Sequence, residues 1–299
     1  MIDVTSPLTR VDAVSNFVAG TFGRAATRVA RLHAFATNEV YEVDVDSRRF
    51  VLKASSHAAS RAEAWACSQG ARAGCGAPAV LATGAFDERT SAFLTAHVAG
   101  PPMLAAHPAL RDLGRALKRL HQVTTPGFGW LAQASWGDDG RPILEHDTWL
   151  GFLNAVSAAS RDLARRYPSA AAIAAAAAAA IDARADELAC ITVGVLCHGD
   201  LKPAHVLVDE GGIRGVIDWG DAVVADPIWD IARFAQRLDS RSLALLLEGY
   251  APDGAMSQAL RSRLALYDAL WHLVDAVVDD RLGAPADTAL AAAMACLRR

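Results

Sequence analysis

The chain lacks most of the features that assign a protein to a class at a glance. It has only five cysteines, Cys67, Cys75, Cys190, Cys197 and Cys296, and they are scattered with no C-x-x-C pair. An odd, dispersed set of thiols argues against a disulfide framework or a zinc site and suits a reducing, cytoplasmic setting. Basic runs are missing, and a formal net charge of -4 with a pI near 6.1 argues against a nucleic-acid partner. The first residues, MIDVTSPLTRVDAV, show no charged-then-apolar leader pattern. The one long uncharged apolar run is the alanine tract at 169–181. Alanine is too weakly apolar for that tract to read as a membrane span. There is no internal repeat and no Gly-x-Gly-x-x-Gly loop. What is present is apolar mass: 53% of 299 residues are hydrophobic, enough for two lobes with cores of their own.

The chemistry is concentrated in LCHGDLKPAHVLVDEGGIRGVIDWGDAVVADPIWDIA, residues 196–232. Asp200 follows a His-Gly pair, and Lys202 comes two residues later. Asp218 ends the apolar run Gly215-Val216-Ile217. Between them, Val206–Val208, Asp209–Gly212 and Ile213–Ile217 read as strand, turn and strand. A hairpin of that length brings Asp200 and Asp218 to one end of a sheet. Phosphoryl transfer from a nucleotide requires such a pair: one carboxylate orients the attacking hydroxyl, and the other holds Mg²⁺.

His198-Gly199-Asp200, Ile217-Asp218-Trp219 and Asp226-Pro227-Ile228-Trp229-Asp230-Ile231-Ala232 together resemble the catalytic core of the aminoglycoside phosphotransferase family. That family is the antibiotic and small-metabolite branch of the protein-kinase-like fold. The resemblance implies that Asp200 is the catalytic base and Asp218 the principal metal ligand. It implies that Asp230 braces the catalytic loop, with His198 in structural support. One position departs from the pattern. The family has Asn where this chain has His205, and imidazole is a softer ligand than an amide oxygen. His205 contacts the metal or a phosphate, or the second Mg²⁺ is weak, or the chain is an inactive nucleotide-binding relative. Lys202 either steadies the moving phosphoryl group or is an exposed lysine.

Upstream, Pro7–Phe22 reads as a helix and Arg28–Leu32 as the start of a strand. Phe35–Val45 then carries polar residues ahead of an alternating strand. Its position matches the family's phosphate-positioning loop, where Thr37 and Asn38 offer hydrogen bonds; a plain hairpin turn is the other reading. Lys53 ends the apolar strand Arg48–Lys53 and matches the lysine that pairs the α- and β-phosphates in kinase-like folds. Glu63, the one Glu in the helical segment 58–73, is its expected partner. Residues 78–86 and 91–98 read as strands. Thr95–Pro102 resembles the hinge, where Ala96 and Val98 are the expected backbone contacts to adenine. Gly100-Pro101-Pro102 suits neither helix nor strand and marks a linker.

Past the hinge, Leu110, Leu113, Leu117 and Leu120 recur at helical spacing and lead to His121, read as a packed or capping residue. Residues 169–189 read as one alanine-rich helix. Residues 242–282 read as two or three helices, the last carrying Asp268, Trp271, His272 and Asp275 on roughly one face. That face is either a substrate wall or a solvated surface.

The expectation is an α+β, two-lobe protein-kinase-like fold. A small N-terminal lobe with an antiparallel sheet (1–98) precedes a larger, mostly helical C-terminal lobe (99–299). The hinge falls at 95–103, and the variable substrate region at 124–190 and 242–282. The resemblance implies Mg²⁺ and ATP or GTP as phosphoryl donor. It implies transfer to a hydroxyl of a small molecule: an antibiotic or related natural product, with resistance by inactivation, or a metabolite such as choline, homoserine or a sugar. Neither a nucleic acid nor a membrane is expected as partner, and the sequence leaves the oligomeric state open.

Overall fold

The computed structural model describes residues 7–34 and 38–298. Helix α1 (Pro7–Phe22) precedes strands β1 (Arg28–Ala34), β2 (Asn38–Val45) and β3 (Arg48–Ser56). Helix α2 (His57–Arg72) and strands β4 (Val80–Ala85) and β5 (Thr90–Ala96) follow. The strands form one antiparallel sheet in the order β1-β2-β3-β5-β4. The β2–β3 connection is a two-residue turn, with Asp46 at φ 48° and Ser47 at φ 63°. Two left-handed residues in succession match the twist of the strands they join.

Alternation along β3 sorts its side chains between two faces. Phe50, Leu52 and Ala54 enter a small core with Val14 and Val18 of α1, Tyr41 and Val43 of β2, and Leu94 of β5. Val51 and Lys53 therefore face the other way, toward the interlobe cleft. Ser56 caps α2 by accepting the Ala59 N–H. Although α2 lies against this sheet, its buried Ala62, Ala66 and Cys67 belong to the large core of the second lobe.

That second lobe contains α3 (Leu110–Leu120), α4 (Trp149–Ala159) and α5 (Ser169–Asp182), and then helices Ile228–Ala235, Ser240–Tyr250, Ala255–Arg281 and Asp287–Leu297. Its core is aromatic. Trp149 meets Trp229 edge-on at 5.6 Å, and Trp229 packs on Trp271 at 4.6 Å. The alanine-rich segment is interrupted: α5 ends at Asp182, and a separate short helix runs Ala185–Ala189. No helix among the described residues is long and apolar enough to cross a membrane.

Two small β units sit beneath the cleft. Strand Gly194–Cys197 pairs with Val223–Ala225 and Thr124–Thr125. Hairpin Val206–Asp209/Gly212–Val216 projects between them in sequence. The residues after Cys197 and after Val216 thus emerge side by side.

Candidate active site

The loop after Gly194–Cys197 is held from below by Asp230. Its carboxylate accepts the backbone N–H groups of His198 at 2.7 Å and Gly199 at 2.9 Å. His121 Nε2 lies 3.3 Å from the same carboxylate, and Tyr250 Oη lies 2.8 Å from His121 Nδ1. Asp230 is fully buried; burial alone would raise its pKa, but the bonds from His121 and the loop outweigh that and lower it. His121 is thus a packed residue within this buried network. Gly199 has φ +82°, and a Cβ there would lie 1.7 Å from the Asp221 carbonyl oxygen, so only glycine allows this turn. His198 Nε2 donates to the Ile217 carbonyl at 2.9 Å, tying the loop to the end of the hairpin.

His205 stands between the two carboxylates of the motif. Its Nδ1 is 3.0 Å from the Asp200 carbonyl and 3.7 Å from Asp200 Oδ2, and its Nε2 is 3.3 Å from Asp218 Oδ2. A carbonyl only accepts, so Nδ1 carries the proton. Burial lowers the His205 pKa despite the pull of Asp218, leaving the ring neutral. Nε2 therefore presents a lone pair to a carboxylate oxygen. Two acceptors facing each other at 3.3 Å make a donor set that suits a cation. Asp218 has φ +65°, an uncommon conformation for a non-glycine residue that aims its carboxylate into the cleft.

On the sheet side, Lys53 Nζ lies 2.8 Å from Glu63 Oε1 and 3.0 Å from Asp218 Oδ1. Burial works against the Lys53 charge, but the two carboxylates outweigh it and raise its pKa. Glu63 is fully enclosed, and burial lifts it to about 7 against the opposing pull of Lys53. Asp218 moves the other way, to about 2, because the Lys53 charge outweighs the cost of burial. Asp218 is thus a ready cation ligand at neutral pH.

The other expected nucleotide contacts are less uniform. Thr37 lies outside the described residues. Asn38 opens β2, and its buried Oδ1 has no hydrogen-bond partner among the described residues. The Ala96 N–H is already donated to the Ala79 carbonyl at 3.2 Å. Among the described residues the Val98 N–H has no such acceptor, which leaves Val98 as the free donor of that pair.

Asp200 lies at the edge of a cavity of about 450 Å³. Trp271 and Asp275 line this cavity together with Lys202, Trp130 and Phe152, whereas Asp268 and His272 do not. The helix face read from sequence is therefore split. Arg233 explains how Asp275 is used. Its guanidinium forks onto both Asp275 oxygens at 2.8 Å and reaches Asp200 Oδ1 at 3.1 Å. It also lies over the Trp271 ring at 4.7 Å. Lys202 Nζ takes the other Asp200 oxygen at 2.7 Å. Sequence reasoning missed Arg233; the available signal was a lone arginine one turn after Asp230 in the otherwise uncharged helix Ile228–Ala235.

Known proteins share this fold. A thermostable variant of aminoglycoside phosphotransferase APH(4)-Ia, solved with AMP-PNP and hygromycin B, is 25% identical. It superimposes with a TM-score of 0.67 over 96% of this chain and 98% of its own. A Thermobifida fusca YX-ER1 protein, provisionally named fructosamine-3-kinase, gives a TM-score of 0.72 at 24% identity over 96% and 99% of the two chains. Uncharacterized protein YcbJ of Bacillus subtilis (strain 168) is 42% identical over 60 residues, and the chain spans only 20% of the length of that curated relative. The model of the phosphotransferase enzyme family APH matches residues 28–292, nearly the whole length, and the chain belongs to that family.

Proposed function

We propose that the protein transfers the γ-phosphoryl group of ATP or GTP to a hydroxyl of a small molecule. The observation that carries this reading is the placement of His205 between Asp200 and Asp218, with the Lys53–Glu63 pair reaching Asp218 from the sheet. The lobe boundary is taken at 98/99, with the hinge at 95–103.

In this reading Asp200 accepts the hydrogen bond of the attacking hydroxyl and takes its proton as the oxygen–phosphorus bond forms. The bond from the γ-phosphorus to the bridging oxygen breaks, and the nucleoside diphosphate leaves. Lys53, propped by Glu63, pairs with the α- and β-phosphates. Lys202 steadies the transferring group, and Arg233 holds Asp200 in place from the other side. Asp218 and His205 Nε2 are the residues that would hold Mg²⁺, and the opposed acceptor pair at 3.3 Å fits a cation there. Bound Mg²⁺ neutralises negative charge on the phosphates. Asp230 and His198 fix the loop from which Asp200 projects. Val98 is the hinge donor for the adenine or guanine ring, and Asn38 meets the phosphates through its side-chain amide.

Acceptor identity divides into an antibiotic, with resistance by inactivation, and a metabolite. The fold likeness to the Thermobifida fusca kinase favours keeping the second beside the first. Nucleoside diphosphate release, measured with aminoglycosides, nucleoside antibiotics, macrolides, choline and ketose-amine sugars, tests the reading. Release that depends on both Mg²⁺ and one acceptor is the expected outcome. No Mg²⁺-dependent nucleotide binding would overturn it.

A further inference from the structure

A second cavity, of about 990 Å³, runs along one face of α2. Arg61, Ala64, Trp65, Ser68 and Arg72 line it, at the three- and four-residue spacing of a single helix face. Glu63 falls on another side of that helix, where it meets Lys53. The remaining walls come from both lobes: Thr83 of β4 and Ser91 of β5 on one side, Thr125 and Arg141 on the other. No residue of this cavity lines the one beside Asp200.

Its charge is one-sided. Arg61, Arg72 and Arg141 line it against a single carboxylate, Asp139. Asp139 lies 3.7 Å from Arg141, and both side chains are exposed, so that pair is weak. His57, at the start of the same helix face, is already bonded to Ser91 Oγ at 2.7 Å. Among the described residues, neither Arg61 nor Arg72 has a carboxylate partner. Arg61 is held instead by Trp136, with its guanidinium 4.6 Å from the ring centroid. Trp65 meets the same ring at 6.0 Å. Stacking engages the flat face of a guanidinium and leaves the N–H groups at its edge free to donate. Those donors match the oxygens of a phosphate two at a time. Arg61 and Arg72 stand about three turns apart, or about 16 Å along the helix axis. One small anion cannot serve both, but a molecule with an anionic group at each end can.

We propose that this cavity is a second binding site, for a small molecule that carries two separated phosphate groups. One phosphate meets Arg61 and the other Arg72, with Arg141 facing them from the second lobe. Two phosphates bring about three to four negative charges near neutral pH, which offset the three guanidinium groups. A cavity of about 990 Å³ accepts a body of sugar or nucleoside size between them. The occupant touches both lobes without reacting, because Lys53, Asp200 and Asp218 lie outside the cavity. The inference stands independently of the phosphotransfer reading.

Calorimetry on the full chain tests it, with glucose 1,6-bisphosphate as the probe, in the presence and absence of AMP-PNP and Mg²⁺. The expected result is one bisphosphate per chain, with a dissociation constant that AMP-PNP changes by less than about threefold. Glucose 6-phosphate should bind at least about tenfold more weakly. Replacing both arginines of α2, Arg61→Gln with Arg72→Gln, should weaken the bisphosphate at least about tenfold, and Arg141→Gln alone at least about threefold. All three side chains are exposed, so folding is preserved, and circular dichroism checks it. No detectable bisphosphate binding up to about 10 mM, displacement of the bisphosphate by AMP-PNP, equal affinity for the monophosphate, or unchanged affinity in either variant overturns the proposal.

Discussion

In the proposed reading, the phosphate side of the cleft and the acceptor side are built on different plans. On the phosphate side, Lys53, Glu63, Asp218 and His205 form a chain of polar contacts in which each member is fixed by the next. Apolar groups contribute little there beyond excluding water, which strengthens the charges. On the acceptor side charged and apolar residues alternate around the cavity, and Arg233 and Lys202 pair with Asp275 and Asp200 within the protein. The chemistry of a triphosphate does not vary, so the first plan has little freedom. An acceptor alcohol can be almost anything, so the second plan is set by packing among helices that meet only in the folded protein.

The contrast is broken most strongly at Asp200, which belongs to both sides. Asp200→Asn is expected to lower kcat by about 10²–10⁴-fold while leaving the AMP-PNP dissociation constant nearly unchanged. Retention of more than half the wild-type kcat would mean that Asp200 is not the base. Lys53→Met acts on one side alone. We expect kcat/KM for the nucleotide to fall by about 10²–10³-fold with no change in acceptor binding by fluorescence. A matching loss in acceptor affinity would show that the two sides are coupled.

Arg233→Lys tests the bridge between them. A lysine cannot fork onto Asp275 and still reach Asp200, so kcat should drop by up to about 10²-fold through misplacement of the carboxylate. If KM for the acceptor changes and kcat does not, Arg233 belongs to the acceptor side only. Gly249→Ala is the control that touches neither side. A Cβ there would sit 2.0 Å from the Arg111 carbonyl oxygen, where helix Ser240–Tyr250 crosses α3. Overpacking should cost about 1–3 kcal/mol and lower Tm, with both dissociation constants unchanged in the folded fraction.

The smallest effect is a slope. Glu63 titrates near 7 in the folded chain against 4.5 for the free group, so its stabilising contribution is fully present below about 4.5 and is lost as pH rises through about 7. The Tm of wild type minus that of Glu63→Gln should therefore fall between pH 4.5 and 8. A flat difference would mean that Glu63 stays ionised beside Lys53 throughout.

The same contrast separates what was legible from what was not. Lys53 could be read because a lysine closing an apolar strand is conspicuous, and Asp200 and Asp218 because a short hairpin fixes their separation in space. Glu63 was found because no other glutamate shares its helix. Trp271 and Asp275 were recognised as facing one way, but Asp268 and His272 share that face in sequence and not the cavity. A helical period of 3.6 residues gives a face, not what lies against it.

The sequence by itself determined the two-lobe α+β plan and which of Lys53, Glu63, Asp200, Asp218 and His205 meet in the cleft. These follow from local periodicity, turn chemistry and residues held close by short connections. Only the tertiary structure decided that Arg233 and Lys202 together offset Asp275 and Asp200, and that His205 turns its lone pair to Asp218. Each of those depends on which helix packs against which, a choice made by the shape of the whole core and written in no single stretch of the chain.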